Sequence, residues 1–379
     1  MKKIVIFPND PIADYYKKGE IKAWYYNPDN FFDEVHIISL AKKDIDPALV
    51  REIAGTAKLF IYPVGNPLSS KGLFGFPFFI KKVLRLVKNI NPQVLRGYNS
   101  TLGGFLTTFA GKKLNIPSVV SLHINQDEIR KFEKAGLKAK IYRSFSKFFL
   151  EPFSMKNASI VITVSSFLSL YAKKYGAKNI KVIYNRVYTK QFKKPDNFLR
   201  KDPDFKILAV GQLSLQKNME CLIRAVALLD SKVKFTIIGS GPQKMELEKL
   251  AEDLGIKEKV IFIPSVPNKE IQKYYWQADI FAIASIHEGF CIPVLEAMAS
   301  GLPAVVADKE PLPEILGGAG LVVKNNPENF KNAFKLLIED SYLRKELAVN
   351  AVRRAQKLDG EIMERKETEL YQSLLKKQN

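Results

Sequence analysis

Cysteine is nearly absent from this chain of 379 residues: Cys221 and Cys291 are its only two. They lie far apart and without metal-ligand spacing, which excludes a disulfide-stapled secreted scaffold and fits a reducing compartment. Long apolar runs are missing too. No stretch approaches the roughly 20 apolar residues that a membrane-spanning helix needs. The N-terminus, MKKIVIFPND, has a short apolar run before Pro8 and Asn9, so it reads as a first strand rather than the core of a signal peptide. Low-complexity tracts and solenoid-type repeats are absent as well. Acidic residues are scarce in one part only. Residues 1–195 hold 33 Lys and Arg against 13 Asp and Glu, whereas the remainder holds 26 of each. The whole formal charge of +20 therefore belongs to the first half, which is expected to meet something anionic.

What is present is ample apolar material, 46% of residues, enough for two cores. Short β-branched runs (KKIVIF, EVHIISL, KLFIYPV, SVVSLHI, SIVITVS) alternate with helical segments such as LGGFLTTFAGKKLN in the first half. FKILAVG, VKFTIIG, KVIFIPS, DIFAIAS, PAVVAD and AGLVVK repeat the arrangement in the second. Such alternation implies α/β domains with parallel sheets covered on both faces. The expected organisation is a basic domain over 1–190, a second domain over 191–360, and a C-terminal helix over 361–379 packing back on the first. RVYTKQFKKPDNFLRKDPD is the expected linker. Two facing doubly wound domains would bind ligand in the cleft between them, beyond the carboxyl ends of their strands.

The loops after the strands are therefore the places to look. EGFCIPVLEAMASG follows the strand DIFAIAS, so Glu288 stands in a loop while Glu296 lies in the first turns of a helix opened by Pro293. Between them, the amides of Gly289, Phe290, Cys291 and Ile292 form a helix start suited to phosphate oxygens. Acidic residues that merely complement the helix dipole would look the same. In ILAVGQLSLQKN, Gly211 ends a strand and Lys217 follows in the turn, where it can neutralise a phosphate. In IIGSGPQKMELEKL, Gly239 and Gly241 stand between strand and helix, but without the third glycine of a dinucleotide fingerprint.

Together these segments resemble the retaining glycosyltransferases of family 4, which have the GT-B fold of two Rossmann-like domains. ADIFAIASIHEGFCIPVLEAMASGLPAVVA carries the resemblance most specifically, with the Gly211 loop, GSGP at 239–242 and PEI at 313–315 in the family's order. The resemblance implies that Glu288 meets the donor sugar and diphosphate, and that Glu296 holds the nucleotide ribose. Lys217 and the intervening amides would stabilise the leaving diphosphate without a metal. Val266 would border the base, and Gly211 and Gln212 would line the phosphates. In the first half, it places His123 near the donor sugar and Gly19, in YYKKGEIK, near the diphosphate. The implied catalytic set is Glu288, His123 and Lys217, with a nucleoside-diphosphate sugar as donor and no separate cofactor. No carboxylate nucleophile is identifiable, so same-face attack through an oxocarbenium-like state is the expected route to retention.

The sequence departs from the family at Gln212, where an arginine is usual, and at Arg186 in NRVY, a candidate source of the lost charge. The remaining histidines carry no role: His36 lies inside a strand, and His287 matches no family position. The DID at Asp44–Asp46 is expected to be a solvated loop rather than a metal motif. The acceptor half contains FGFPFFIKKVLRLVKN, with Lys81, Lys82, Arg85 and Lys88, and IRKFEKAGLKAKIYRSFSKFFLEPF. Basic amphipathic segments of this kind suit an anionic membrane surface. A lipid-linked or glycan acceptor at the cytoplasmic membrane face is the favoured expectation. A non-catalytic GT-B binding protein, a sugar-nucleotide epimerase and a nucleic-acid binder are the alternatives. No recognisable nucleic-acid reader is legible, so no nucleic-acid partner is expected.

Overall fold

The computed structural model describes residues 1–67, 75–132, 136–198, 203–230 and 232–376. Phe74, residues 133–135 of the second basic stretch and residues 199–202 of the expected linker lie outside them. The chain forms two compact units, Met1–Tyr184 with Met363–Asn379, and Asn185–Ile362. The sequence reading had put these two divisions at residues 190 and 361.

The first unit is built on seven parallel strands: β1 Lys3–Phe7, β2 Glu34–Ser39, β3 Lys58–Pro63, β4 Val94–Gly97, β5 Ser118–Leu122, β6 Ile160–Thr163 and β7 Ile180–Val182. They lie in the order β3-β2-β1-β4-β5-β6-β7. The apolar strands alternate their side chains between two cores, as the two-residue period requires. Ile4, Ile6, Val35 and Ile37 enter one, whereas Val5, Phe7 and Ile38 enter the other. The second core is closed by the helices Phe76–Ile90, through Phe79, Val83, Val87 and Ile90, and Leu102–Leu114, through Leu102, Leu106 and Ala110. The first is closed in part by the last helix, Gly360–Lys376, whose Met363, Leu370, Tyr371 and Leu374 are buried in it.

The second unit has six parallel strands: β8 Phe205–Val210, β9 Val233–Ile238, β10 Val260–Ile263, β11 Ile280–Ile283, β12 Ala304–Ala307 and β13 Gly320–Val323. Their order, β10-β9-β8-β11-β12-β13, reverses direction between β8 and β11. In the first unit the same reversal falls between β1 and β4. Those are the switch points at which open parallel sheets bind ligands.

At the switch point of the second unit the loops after β8 and β9 touch backbone to backbone. A Cβ on Gly239 would fall 1.9 Å from the carbonyl oxygen of Gly211, at a φ of +154°. Only glycine fits there. Gly239→Ala is therefore expected to destabilise the second unit by more than about 1 kcal/mol, the scale of a side chain forced into an incompatible backbone. A urea titration with a lowered midpoint at unchanged slope would show it.

Candidate functional site

In the second unit, Lys217 and Glu288 meet. The lysine closes a single 3-10 turn, Leu215–Lys217, in the loop after β8, and the glutamate stands in the loop after β11. Lys217 Nζ donates to Glu288 Oε1 at 2.5 Å, with only 16% and 7% of the two side chains exposed. Burial by itself lowers the ammonium's pKa, but the Glu288 carboxylate outweighs it and the result is a raised value. Lys217 thus stays cationic at any physiological pH. Three ties position the pair. Ile286 N donates to Gln216 O at 2.8 Å, and Gln216 Nε2 donates to His287 O at 2.9 Å. Asn218, in the left-handed region at φ 49°, donates through Nδ2 to Asn325 Oδ1 at 3.1 Å. Asn325 in turn donates to Ala284 O at 2.9 Å, so residues after β8, β11 and β13 are locked together.

Behind the pair runs the helix Ile292–Ala299, capped at Cys291 and opened by Pro293. Its apolar face, Val294, Leu295, Ala297 and Met298, is wholly buried, so the helix cannot swing away from the sheet. Gly289, Phe290 and Cys291 are buried with it, and Ile292 is half-buried. The Cys291 thiol is pushed up to about 12 by burial and by the Glu288 charge, which makes it an inert packing group. Glu296 is half-buried and accepts from Tyr275 OH at 2.8 Å, which fixes its carboxylate. Gly211 lies against Lys217, with a Cβ there only 3.5 Å from the lysine stem. Gln212 is exposed in the same loop, and Val266 is half-buried after β10. Ser265 and Ser240 join the β10 loop to the GSGP loop, hydroxyl to hydroxyl at 3.3 Å.

The first unit has a cavity of about 200 Å³ at its own switch point, lined from the loops after β1, β4 and β5 by Asn9, Tyr98, Asn99, Ser100 and His123, and by Tyr15 and Tyr25. Among the described residues its lining carries no Lys, Arg, Asp or Glu, although the surrounding half is strongly basic. His123 is half-buried, and its ring stacks on Tyr98 with centroids 5.6 Å apart and planes 19° from parallel. The Tyr98 hydroxyl is buried and has no hydrogen-bond partner among the described residues. One wall is held by Ser100, whose hydroxyl lies 3.1 Å from Tyr171 OH, which donates to the fully buried Glu151. Glu151 also binds Arg130, which with Asp127 and Lys174 pins the short helix Gln126–Phe132 beside the cavity.

Comparison with known proteins gives these two sites a family. Residues 190–356 match the Glycosyl transferases group 1 family, and residues 33–191 match Glycosyltransferase Family 4. The chain belongs to the group 1 glycosyltransferases. The O-antigen chain mannosyltransferase RfbU of Salmonella typhimurium is 32% identical over 60% of this chain and 64% of its own length. A Campylobacter jejuni enzyme, N-acetylgalactosamine-N,N'-diacetylbacillosaminyl-diphospho-undecaprenol 4-alpha-N-acetylgalactosaminyltransferase, is 36% identical over 40% of this chain and 42% of its own. The chain thus spans about half the length of the curated relatives it matches. Anabaena HepE, crystallised with UDP and glucose, superposes with a TM-score of 0.76 at 19% identity, covering 98% of this chain and 100% of that one. That likeness shows the fold to be GT-B.

The other residues singled out in the sequence take the following settings. Gly19 is exposed in the first unit, at φ 67°, and ends the helix Ile12–Lys17 as its left-handed cap. Asp44 and Asp46 lie in the expected loop, Asp44 half-buried and Asp46 exposed, and each carboxylate caps a helix start. Asp44 accepts from Ile12 N at 3.2 Å and Ala13 N at 2.8 Å, and Asp46 accepts from Ala48 N at 2.9 Å. His36 is structural, held between the Glu34 carboxylate and Tyr62 OH, each at 3.1 Å. Lys81, Lys82, Arg85 and Lys88 are exposed along the outer face of Phe76–Ile90, with Phe78 beside them. Sequence reasoning missed Gln216, Asn325, Tyr275 and Tyr98. Only Asn325 had a legible signal, an asparagine directly after a strand in a domain whose loops carry the chemistry.

Proposed function

We propose that this chain moves a sugar from a nucleoside-diphosphate sugar to a hydroxyl of a lipid-linked or glycan acceptor, with retention of anomeric configuration. The buried Lys217–Glu288 pair carries the reading. A solvated lysine at a strand end would say little. This one is pre-placed and desolvated, and its partner is a carboxylate that a diphosphate can displace. Lys217 and the amides at the start of the helix Ile292–Ala299 would then take up the charge developing on the leaving diphosphate, in the place of a metal. Glu288, freed from the lysine, would turn to the sugar hydroxyls. Glu296, steadied by Tyr275, would bind the ribose, with Gly211 and Gln212 along the phosphates and Val266 near the base. His123 is assigned to the reacting sugar, and the uncharged cavity beside it suits a neutral sugar ring rather than an anionic group. The carbon–oxygen bond to the diphosphate breaks, the acceptor hydroxyl bonds to the anomeric carbon from the same face, and its proton leaves with the diphosphate.

The test is thermal unfolding against a panel of nucleoside diphosphates. A ligand at 100 times its dissociation constant adds about 2.7 kcal/mol of stability, and one base is expected to outperform the others. No shift with any of them would remove the donor site from the proposal.

The acceptor side rests on the outer surface of the first unit. Exposed Phe78, Leu137, Ile141, Phe148 and Phe149 accompany exposed Lys81, Lys82, Arg85, Lys88, Lys138 and Lys140. Apolar groups among cations match an anionic bilayer, into which the aromatic groups insert while the cations meet headgroups. The name of the Campylobacter relative gives its acceptor as sugars joined to diphospho-undecaprenol. No helix among the described residues is long and apolar enough to cross a membrane, so contact would be peripheral. Changing Lys81, Lys82, Arg85 and Lys88 to glutamine should weaken binding to anionic vesicles by about 4 kcal/mol, at ~1 kcal/mol each, or roughly a thousandfold. Vesicle sedimentation reads this directly. Undiminished binding would move the membrane contact elsewhere.

A further inference from the structure

Arg96 is the one residue of β4 that a buried parallel strand should not contain. It is 4% exposed, and its charge is answered from 271 positions away. Glu367 and Tyr371, one turn apart on the last helix, both reach it. Arg96 Nη1 donates to the Glu367 carboxylate and, at 2.5 Å, to Tyr371 OH, which itself donates to Glu367 at 3.2 Å. Nε donates to Ser121 Oγ at 3.1 Å. The guanidinium so held lies 4.4 Å from the centre of the Tyr98 ring, on whose other neighbour, His123, the stacking continues at 5.6 Å. A buried ion pair contributes little net stability compared with apolar packing. Its geometry here does something packing would not: a cation over an aromatic face sets the plane of that ring.

We infer that Arg96, Glu367 and Tyr371 are positioning residues, through which the last helix fixes the Tyr98 ring and thereby the orientation of His123 in the cavity. The assignment of His123 to the reacting sugar rests on the proposed function, but the positioning does not. None of the three touches the cavity. They act through Tyr98, whose own backbone amide is anchored to Phe7 O at 3.0 Å and leaves the ring free to be set by its neighbours. Tyr25 and Tyr26 pack against Tyr98 at 5.6 and 5.2 Å, so the ring is bounded on its remaining sides by groups that carry no charge.

The test uses the full chain with histidine 13C-labelled at the ring Cε1 position. The protein has three histidines, so three ring signals appear, and His123→Gln identifies the one that matters. Glu367→Gln strands the Arg96 charge and risks misfolding. The variant Arg96→Met/Glu367→Leu/Tyr371→Phe removes the charges and the hydroxyl together and keeps the core apolar. In this triple variant the His123 signal is expected to shift while those of His36 and His287 stay, because the ring above it is no longer held. Turnover of the nucleotide sugar is expected to fall at least tenfold in kcat, with donor KM within about twofold, since the donor residues of the second unit are untouched. A His123 signal unchanged in a folded triple variant would overturn the inference and leave the cluster as packing. If the unaltered chain turns over no nucleotide sugar, the functional reading fails, and the histidine signals alone decide the positioning.

Discussion

Glu288→Gln is expected to abolish sugar transfer and, at the same time, to tighten the binding of the nucleoside diphosphate. The two effects have opposite signs because the glutamate holds Lys217 in the ligand-free chain at 2.5 Å. In the proposed site a diphosphate has to displace that carboxylate before it can use the lysine. Glutamine competes far less, so the affinity for the diphosphate should rise by up to roughly tenfold, a part of the 1.5–3 kcal/mol typical of a charge-assisted hydrogen bond. The carboxylate assigned to the sugar is nevertheless gone, and kcat should fall. Lys217→Met reverses the binding effect. It removes the cation that the proposed function assigns to the leaving group, with an expected loss of about 10²–10³ in kcat, the cost of one preorganised charge-stabilising donor. Diphosphate affinity should fall with it. Calorimetric titration of both variants checks the signs. Equal weakening in both would mean that the pair is only a structural tie between two loops.

Glu367→Ala is expected to give a large loss of stability in the first unit. Its carboxylate is 3% exposed and answers a guanidinium that is 4% exposed. Removing one member leaves a buried charge without its counterion, at a cost of about 3–5 kcal/mol. For a unit of this size, each kcal/mol lowers Tm by roughly 2–4 °C, so a fall of roughly 6–20 °C follows. Replacing Arg96, Glu367 and Tyr371 together by apolar residues should recover most of it, since the desolvation cost disappears with the charges. Scanning calorimetry distinguishes the two. A triple variant as unstable as the single one would show that the loss does not come from the stranded Arg96 charge.

The contrast between β4 and the strands of the second unit explains how much was legible. β8 to β13 are mainly apolar, with one lysine each in the six-residue β8 and β9, and each was visible as a run. β4, VLRG, and β7, IKV, were not, since each is short and contains a cation. For Arg96 the compensation comes from a helix at the other end of the chain, and no local pattern can show that. The same limit applies at the site. Lys217 and Glu288 were legible as strand-end residues, but their direct contact depends on β8 and β11 being neighbours across the switch point, which is a property of the sheet. Tyr98 and Gln216 acquire meaning only from what the fold sets beside them. The capping role of Asp44 was not legible because its partners, the amides of Ile12 and Ala13, are more than thirty residues away.

The central claim is that the Lys217–Glu288 site expels a nucleoside diphosphate from a nucleotide sugar. The most direct measurement is release of nucleoside diphosphate from a panel of nucleotide sugars, with the unaltered chain and Lys217→Met side by side and lipid-linked glycans supplied as acceptors. One nucleotide sugar is expected to be consumed, with its sugar recovered on the acceptor and release at least a hundredfold slower in the variant. Consumption at the same rate by both proteins would contradict the account.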